Sequence, residues 1–425
     1  MIEKSIEKIY GSVIKETCLK YTAPGGLKVF MLPMEGYSAA VAQFSTRFGS
    51  QDNSFSVNGG EFTRIPDGTA HYLEHKLFES EEKDAFALFA QTGASCNAGT
   101  SFDYTQYYFS CADKFRQNLE ILLDFVQDPY FTAENVEKER GIIGQEITMY
   151  RDNPSWRVFN ELLESLYKVN PVRNDIAGTI ESISEITEKT LYDCYNAYYN
   201  PANMFLCVAG NFDPDEVVSV CESRLKSRPA LDVKAEPFEE PFHVNRYRTK
   251  INMPVAKPIF EIGFKLPEQK GIDSIDNYIY YNILFDIMLG NTSDFFEMMR
   301  KDGLLNEEFS VGVFSGRGHL FPFARGESDD PDQVLAEIRR QIDAYKTIPP
   351  SKEDFERIKR ATYGGLVRDY NNVDSVASTL TEAALAGTEP FAVIDTAAAA
   401  DYDKMLEHLY ALDEDNASIS IVSQE

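Results

Sequence analysis

The sequence predicts the same order of secondary-structure elements twice, and this repetition limits the fold more than any other feature. Residues 115–152 predict a helix, a proline, a polar helix cap and a charged helix, and residues 332–370 predict the same succession. Between the halves, residues 229–241 hold prolines and mixed charge of the kind that separates domains. We therefore predict an α+β fold of two similar domains, at 1–228 and 242–425.

Two closely spaced histidines stand out in the first half. His71, Glu74 and His75 give the order H-x-x-E-H of an inverted zinc-peptidase motif, in a chain with only five histidines. At about 100° per residue, positions 0, 3 and 4 of a helix lie on one face. Two neutral imidazoles suit Zn²⁺, and a glutamate beside them suits proton transfer from water. The alternative is a pair of packed helix histidines with a solvated glutamate.

A third metal ligand has to come from another element. The helix predicted at residues 132–150 carries Glu139 and Glu146 on its apolar stripe, where a spacing of seven nearly superposes them. Acids on an apolar stripe are unfavourable unless they are paired or bind a metal. Glu146 is therefore a candidate ligand, and a tilted stripe with both acids in solvent is the alternative. Residues 275–289, the corresponding helix of the second half, hold no histidine pair, so we expect at most one metal site.

Charge and composition exclude several kinds of partner. The chain has 41 lysines and arginines against 68 acids, and its net charge of −27 argues against nucleic acid or an anionic membrane as the main partner. No apolar run approaches the length of a membrane span, and the first eight residues show no signal peptide, so we expect a cytoplasmic protein. The six cysteines form no C-x-x-C pair and predict buried thiols.

With these residues the sequence resembles the pitrilysin/insulinase family of zinc peptidases, in the short bacterial branch related to the mitochondrial processing peptidase. The match spans nearly the whole chain and is most specific at the H-x-x-E-H motif and the later segment E-K-E-R-x-I-I-x-Q-E. The resemblance implies two sandwich domains, each with helices packed on a mostly antiparallel sheet. It also implies one Zn²⁺ per chain, with His71, His75 and Glu146 as ligands, Glu74 as general base and Glu139 as a supporting acid.

The resemblance also implies how a peptide substrate binds. Asn97 and Ala98 match the edge strand of the family, to which the peptide adds as a further strand. The family also uses an arginine and a tyrosine seven residues apart. Arg300 matches the arginine, but Asn306 or Glu307 stands where the tyrosine is expected. A heterodimer with a homologous chain that supplies the Arg/Tyr pair is therefore implied, and a homodimer that uses Arg300 is the second choice.

Two functions are consistent with these residues. The first is a zinc endopeptidase for short or unfolded peptides, because members of the family enclose their site in a chamber that excludes folded proteins. The second is a non-catalytic peptide-binding or scaffold subunit, as some relatives in respiratory complexes are. The intact set of two histidines and two glutamates favours the enzyme, because degenerate subunits usually lose these residues.

Overall fold

The computed structural model describes residues 6–79, 84–267 and 272–424, and its chain divides into two compact units that are each discontinuous in sequence. Unit 1 takes its described residues from 1–147, 175–237 and 367–391, and unit 2 takes them from 148–174, 238–366 and 392–425. The domain limits at residues 228 and 242 stay a prediction, because units defined by spatial proximity need not coincide with repeats in the sequence. The segment predicted as a linker contains a short strand, Val233–Ala235, which pairs with Phe55–Val57.

Unit 1 is built on a seven-stranded sheet and a three-stranded sheet. The strands of unit 1 are β1 (Glu7–Tyr10), β2 (Thr17–Thr22), β3 (Lys28–Pro33), β4 (Ala40–Thr46), β5 (Ser54–Val57), β6 (Thr63–Arg64), β7 (Ser95–Thr100), β8 (Thr105–Cys111), β9 (Met204–Gly210) and β10 (Val233–Ala235). The large sheet has the order β1-β2-β3-β9-β4-β8-β7, and the small one has the order β10-β5-β6. Within the described part of the large sheet, β3 and β9 form the one parallel pair.

Unit 1 also contains the helices α1 (Thr69–Leu77), α2 (Ala85–Thr92), α3 (Phe115–Val126), α4 (Ala133–Arg151), α6 (Ile180–Ser184), α7 (Glu188–Tyr198), α8 (Pro214–Arg224) and α13 (Val373–Ala386), and the last turn of α4 belongs to unit 2. Of these, α1, α2, α3 and α13 pack directly on the large sheet. α13 packs on β4 and β9, where the Thr381 hydroxyl donates to Gln43 Oε1 at 2.7 Å. Every residue of β4 and β9 is buried, because packed elements cover both faces of these central strands.

Unit 2 is built on a five-stranded sheet. Its strands are β11 (Arg248–Asn252), β12 (Ile259–Phe264), β13 (Ser310–Gly316), β14 (His319–Glu327) and β15 (Ala417–Ser423), in the order β11-β15-β12-β14-β13. Its helices are α5 (Pro154–Leu166), α9 (Ile272–Leu289), α10 (Asp294–Lys301), α11 (Pro331–Thr347), α12 (Lys352–Asp369), α14 (Ala392–Ala399) and α15 (Tyr402–Ala411). α5 packs on β12 and β15, and the long apolar helix α9 packs on β13 and β14.

The two large sheets confirm the predicted duplication. Five consecutive strands of unit 1, β3-β9-β4-β8-β7, match the five strands of unit 2 in order, and in both sheets the first pair is parallel and the other three pairs are antiparallel. The predicted α+β class is confirmed as well. One helix of each half packs in the other unit: α5 packs on the sheet of unit 2, and α13 on that of unit 1. An apolar helix stripe predicts burial but not the surface it packs against.

Some local predictions need correction. The sequence predicts Thr69 as the N-cap of α1, but Gly68 occupies that position and the Thr69 hydroxyl donates to the Pro66 carbonyl at 2.6 Å. The sequence also predicts a second helix at about 82–92. Residues 82–83 lie outside the described residues, and α2 begins at Ala85 with the Asp84 side chain as its cap. The six cysteines are free thiols, as predicted, and all but the half-buried Cys96 are buried. Within the described ranges, none of the helices has the length and apolar character needed to cross a membrane.

Candidate metal centre

Two glycines that pack closely together fix the start of α1, the helix that carries the histidine pair. Gly68, with φ 89°, precedes α1, and a Cβ placed on it would lie 2.5 Å from the Ala177 carbonyl oxygen. Gly178, with φ 74°, faces it, and its Cβ would lie 2.5 Å from the Asp67 carbonyl oxygen. Only glycine fits at these two positions, because the close approach leaves no room for a Cβ and the positive φ further disfavours one. The first turn of α1 is therefore set by backbone contact.

α1 is short and almost wholly buried, and it is held against α4. The Tyr72 side chain is fully buried, and its hydroxyl donates a hydrogen bond to the Val136 carbonyl on α4. His71 and Glu74 are each only 8% exposed, and Glu139 on the facing helix is 6% exposed. Polar side chains this deeply buried need partners. The sequence therefore directs ionisable groups of two helices into one confined space.

His71, His75 and Glu146 form the one group among the described residues with the composition and spacing to hold a metal ion. Oε2 of Glu146 lies 3.6 Å from Nε2 of His71 and 3.4 Å from Nε2 of His75. Ligands at about 2.0–2.1 Å from a tetrahedral Zn²⁺ are separated by about 3.3–3.4 Å. The two distances to Glu146 are therefore close to those between ligands of one ion, and the ligand atoms of all three residues lie within 4.8 Å of one another. The His75 and Glu146 side chains are 23% and 21% exposed, so the site is accessible to solvent.

Glu139 holds one of the two imidazoles. Its Oε1 lies 3.0 Å from Nδ1 of His75, on the side of the ring opposite the nitrogen that faces Glu146. A carboxylate that accepts a proton from Nδ1 leaves Nε2 with a free lone pair, which is the form that binds a metal. Glu139 and Glu146 lie on the same side of α4, as predicted, but they contact different atoms. Glu139 is thus placed to orient His75, and Glu146 is a candidate ligand.

The pKa values of the two histidines shift in opposite directions. Burial, with a smaller effect of the neighbouring His75, lowers the pKa of His71 to about 3, so this imidazole is neutral over the physiological range. Burial acts in the same direction on His75, but the hydrogen bond to Glu139 and the charges of Glu74 and Glu146 outweigh it and raise the pKa. Glu139 shows the matching effect, because its bond to His75 outweighs burial and lowers its pKa. A cation at this site would compete with a proton for His75.

Glu74 lies between the histidines in sequence and is also anchored by a second element. Burial raises its pKa, and this effect is only partly offset by His75 and by hydrogen bonding from Thr100. The Thr100 hydroxyl donates to Glu74 Oε2 at 2.9 Å. A buried carboxylate with a raised pKa next to a candidate metal site has the properties of a general base.

The remaining predicted residues lie on two other elements. Asn97 and Ala98 are on β7, which forms an edge of the large sheet of unit 1 within the part of the chain that the structure describes. The exposed Asn97 side chain turns back, and its Oδ1 accepts the Ala98 N–H at 2.9 Å. Arg300 lies in unit 2 on α10, with Nη1 at 3.3 Å from Glu307 Oε1. Glu307 thus stands seven residues after Arg300 and is paired with it.

Sequence reasoning missed three contacts that build this site: the Gly68–Gly178 approach, the bond from Tyr72 and the bond from Thr100. Gly68 carried a signal, since the dipeptide Asp67-Gly68 marks a turn, in which glycine often has a positive φ. Thr100 lies two residues after Ala98 on the same strand, so the prediction for Asn97 and Ala98 already placed it near the site. Tyr72 carried no signal beyond its position in the motif.

Comparisons with known proteins agree with this geometry. Residues 55–180 match the family described as "Insulinase (Peptidase family M16)", and residues 185–362 match "Peptidase M16 inactive domain". A Bacillus subtilis protein named "Uncharacterized zinc protease YmfH" is 38% identical over 396 residues, which cover 92% of this chain and 92% of that protein. The first match contains α1, β7 and α4, so the whole candidate site lies inside it.

Solved structures show the same fold. The crystal structure of a protein from Alicyclobacillus acidocaldarius, described as an M16-like peptidase, is 32% identical with a TM-score of 0.91, and the match covers 100% of this chain and 99% of that one. A protease from Helicobacter pylori shares the fold at 16% identity, with a TM-score of 0.82 over 96% of this chain and 99% of that one. The chain therefore belongs to peptidase family M16, the insulinase family.

Proposed function

We propose that this protein is a zinc metallopeptidase that hydrolyses peptide bonds of short or unfolded peptides. The observation that carries the proposal is the cluster of His71, His75 and Glu146 side chains, with Glu74 buried on the same helix as the histidines. Relatives named as zinc proteases support the choice of reaction. The donor set supports the choice of metal, because two imidazoles and one carboxylate with spacings of 3.4 and 3.6 Å fit tetrahedral Zn²⁺.

His71, His75 and Glu146 would hold the zinc and leave one position for water or substrate. Zinc supplies Lewis acidity at such a site, toward water and toward the substrate carbonyl. Glu139 keeps the His75 ring in the orientation that directs Nε2 at Glu146. Glu74 accepts the proton of the attacking water and passes it to the leaving amine. Burial favours this role, because it raises the pKa of Glu74 toward the range in which a carboxylate can accept and release a proton.

The substrate binds as an extra strand on β7. The edge position of β7 and its adjacency to α1 support this mode, since an extended peptide can pair with an unpaired strand edge. Asn97 and Ala98 would face the peptide backbone. The Ala98 N–H is occupied by the Asn97 side chain at 2.9 Å, so the incoming strand has to displace that contact. This mode requires an extended substrate, which accounts for the restriction to short or unfolded peptides.

A homologous partner chain completes the site in this proposal. Transition states of peptide hydrolysis develop negative charge on the carbonyl oxygen, and donors aimed at that oxygen contribute strongly to the rate. Arg300 is paired with Glu307, and no tyrosine stands seven residues beyond Arg300. A partner that brings an Arg/Tyr pair would supply the donors. Loss of one such donor costs about 100- to 1,000-fold in kcat, so the chain alone would be slow but not inactive.

The test uses the zinc-reconstituted full chain, a Glu74→Gln variant and an internally quenched unstructured peptide. We expect one zinc per chain in both proteins, slow cleavage by the wild type, and a further loss of at least about 100-fold in the variant. A wild type without stoichiometric zinc, or a variant as active as the wild type, contradicts the peptidase proposal. Cleavage by the purified chain alone at an ordinary rate, about 1 s⁻¹ or faster, contradicts the partner proposal.

A further inference from the structure

The carboxylate of Glu74 is held by a residue outside the metal ligands. Thr100 is the last residue of β7, and its hydroxyl lies 2.9 Å from Glu74 Oε2. Glu74 is 8% exposed and Thr100 is half-buried, so water competes weakly for this bond. Hydrogen bonds to a charged acceptor in such surroundings are among the stronger ones in proteins.

The direction of this hydrogen bond follows from a count of protons. Thr105 Oγ1 lies 3.4 Å from Thr100 Oγ1 and 2.8 Å from the Phe48 carbonyl oxygen. A carbonyl can only accept, so the single hydroxyl proton of Thr105 points at Phe48. The proton of Thr100 is then free to point at Glu74, whose ionised carboxylate is also only an acceptor. The Thr100 hydroxyl is therefore a donor dedicated to the carboxylate.

The backbone around Thr100 is fixed by neighbouring contacts. Thr100 pairs with Thr105 across the β7–β8 hairpin, and the Ser101 N–H donates to the Tyr104 carbonyl at 2.8 Å. The N–H of Ser50 donates to the Ser101 carbonyl at 3.1 Å, and that of Gln51 to the Phe102 carbonyl, also at 3.1 Å. The hairpin end is thus tied to an adjacent loop. A hydroxyl on such a support can hold a flexible glutamate in one conformation.

We propose that Thr100 is a positioning residue for the base Glu74: its hydroxyl holds Oε2 and thereby directs Oε1 toward the water that attacks the substrate. The inference rests on the proposed peptidase function for its catalytic consequence, but not for the conformation of Glu74. It also gives β7 a second role. The strand that receives the peptide in the proposed mode carries, at its end, the group that orients the base.

Two substitutions separate the hydroxyl from the shape of the side chain. Thr100→Val keeps the branched shape and removes the donor, whereas Thr100→Ser keeps the donor and removes a methyl group. With zinc content verified as unchanged, we expect Thr100→Val to lower kcat about 10- to 100-fold, the cost of a misplaced catalytic group, and to change KM less than about threefold. Thr100→Ser should stay within about threefold of the wild type in both constants.

A crystal structure of metal-free Thr100→Val gives a readout that does not depend on catalysis. We expect the Glu74 carboxylate to leave its wild-type position or to occupy two conformers, while α1 and β7 stay in place. An unmoved Glu74 in this variant overturns the inference, as does a kcat within twofold of the wild type or a Thr100→Ser variant as impaired as Thr100→Val. If the wild type has no zinc-dependent turnover, the proposed function fails, and the position of Glu74 still decides the role of Thr100.

Discussion

Removal of the carboxylate at Glu139 should weaken metal binding without removing a metal ligand. Glu139 Oε1 accepts from Nδ1 of His75 at 3.0 Å, and Glu139 is only 6% exposed. A hydrogen bond to a charged group contributes about 1.5–3 kcal/mol, which corresponds to about 10- to 150-fold in an equilibrium constant. Loss of the partner that orients a metal-binding histidine typically costs about 10- to 100-fold in affinity. The two magnitudes agree.

Two variants divide this effect into its parts. Glu139→Gln keeps an acceptor oxygen but removes the charge, so the zinc dissociation constant should rise by about 10-fold. Glu139→Ala removes both, and the rise should approach 100-fold. Competition with a chromogenic zinc chelator at pH 8 measures the constant where protons compete least for His75, whose pKa is raised mainly by its bond to Glu139 against the effect of burial.

The control is Glu134→Gln on the same helix. Glu134 is exposed in the first turn of α4, so the same chemical change there should leave zinc affinity within about twofold. If both Glu139 variants bind zinc as tightly as the wild type, Glu139 does not orient His75. If the Glu134 variant loses as much affinity as the Glu139 variants, the effect is a general one of charge on α4.

Three further substitutions test stability. Burial raises the pKa of Glu261 to about 7 in the folded state, so ionisation of this carboxyl opposes folding as pH rises from about 4.5 to 7. In denaturant melts, Glu261→Gln should therefore stabilise the protein by about 3 kcal/mol at pH 8 and by under about 1 kcal/mol at pH 5. An equal effect at both pH values contradicts this. The Cβ of Gly68→Ala would lie 2.5 Å from a carbonyl oxygen, whereas Gly59 has a positive φ but open space around it. Gly68→Ala should therefore cost at least about 2 kcal/mol more stability than Gly59→Ala, and equal melting temperatures for the two variants contradict the packing argument. Lys265 is 3% exposed, and its Nζ lies 2.7 Å from Glu240 Oε1. Lys265→Met should lower the free energy of unfolding by about 3–5 kcal/mol, because it leaves the Glu240 carboxylate unpaired. The double variant with Glu240→Gln should be less destabilised than Lys265→Met alone.

Much of the architecture could be predicted because local sequence patterns specify it. The repeated helix–proline–helix succession predicted the duplication, and the sheets show it as five strands in matching order. Helical spacing placed His71, Glu74 and His75 on one face, and the apolar stripe of α4 brought Glu146 to the same place. In each case residues close in sequence carry the signal, or the period of a helix fixes which side chains share a face.

The rest depends on contacts between distant residues. The helices α5 and α13 each pack in the unit formed mainly by the other half, and nothing in their amphipathic patterns specifies that surface. Thr100 meets Glu74 only because α1 lies beside β7. The spacing of α4 showed two acids on one side but not that Glu139 would contact Nδ1 of His75 while Glu146 faces Nε2. These contacts depend on how α1 and α4 pack against each other, and local sequence patterns do not specify that packing.

The most direct measurement is an anomalous difference map, recorded at the zinc edge, from crystals of the full chain grown with stoichiometric Zn²⁺. We expect one peak at about 2.0–2.2 Å from Nε2 of His71, Nε2 of His75 and a carboxylate oxygen of Glu146, with no fourth protein ligand. Absence of a peak between these three side chains, or a peak bound by Glu139 in place of Glu146, would contradict the proposed zinc site.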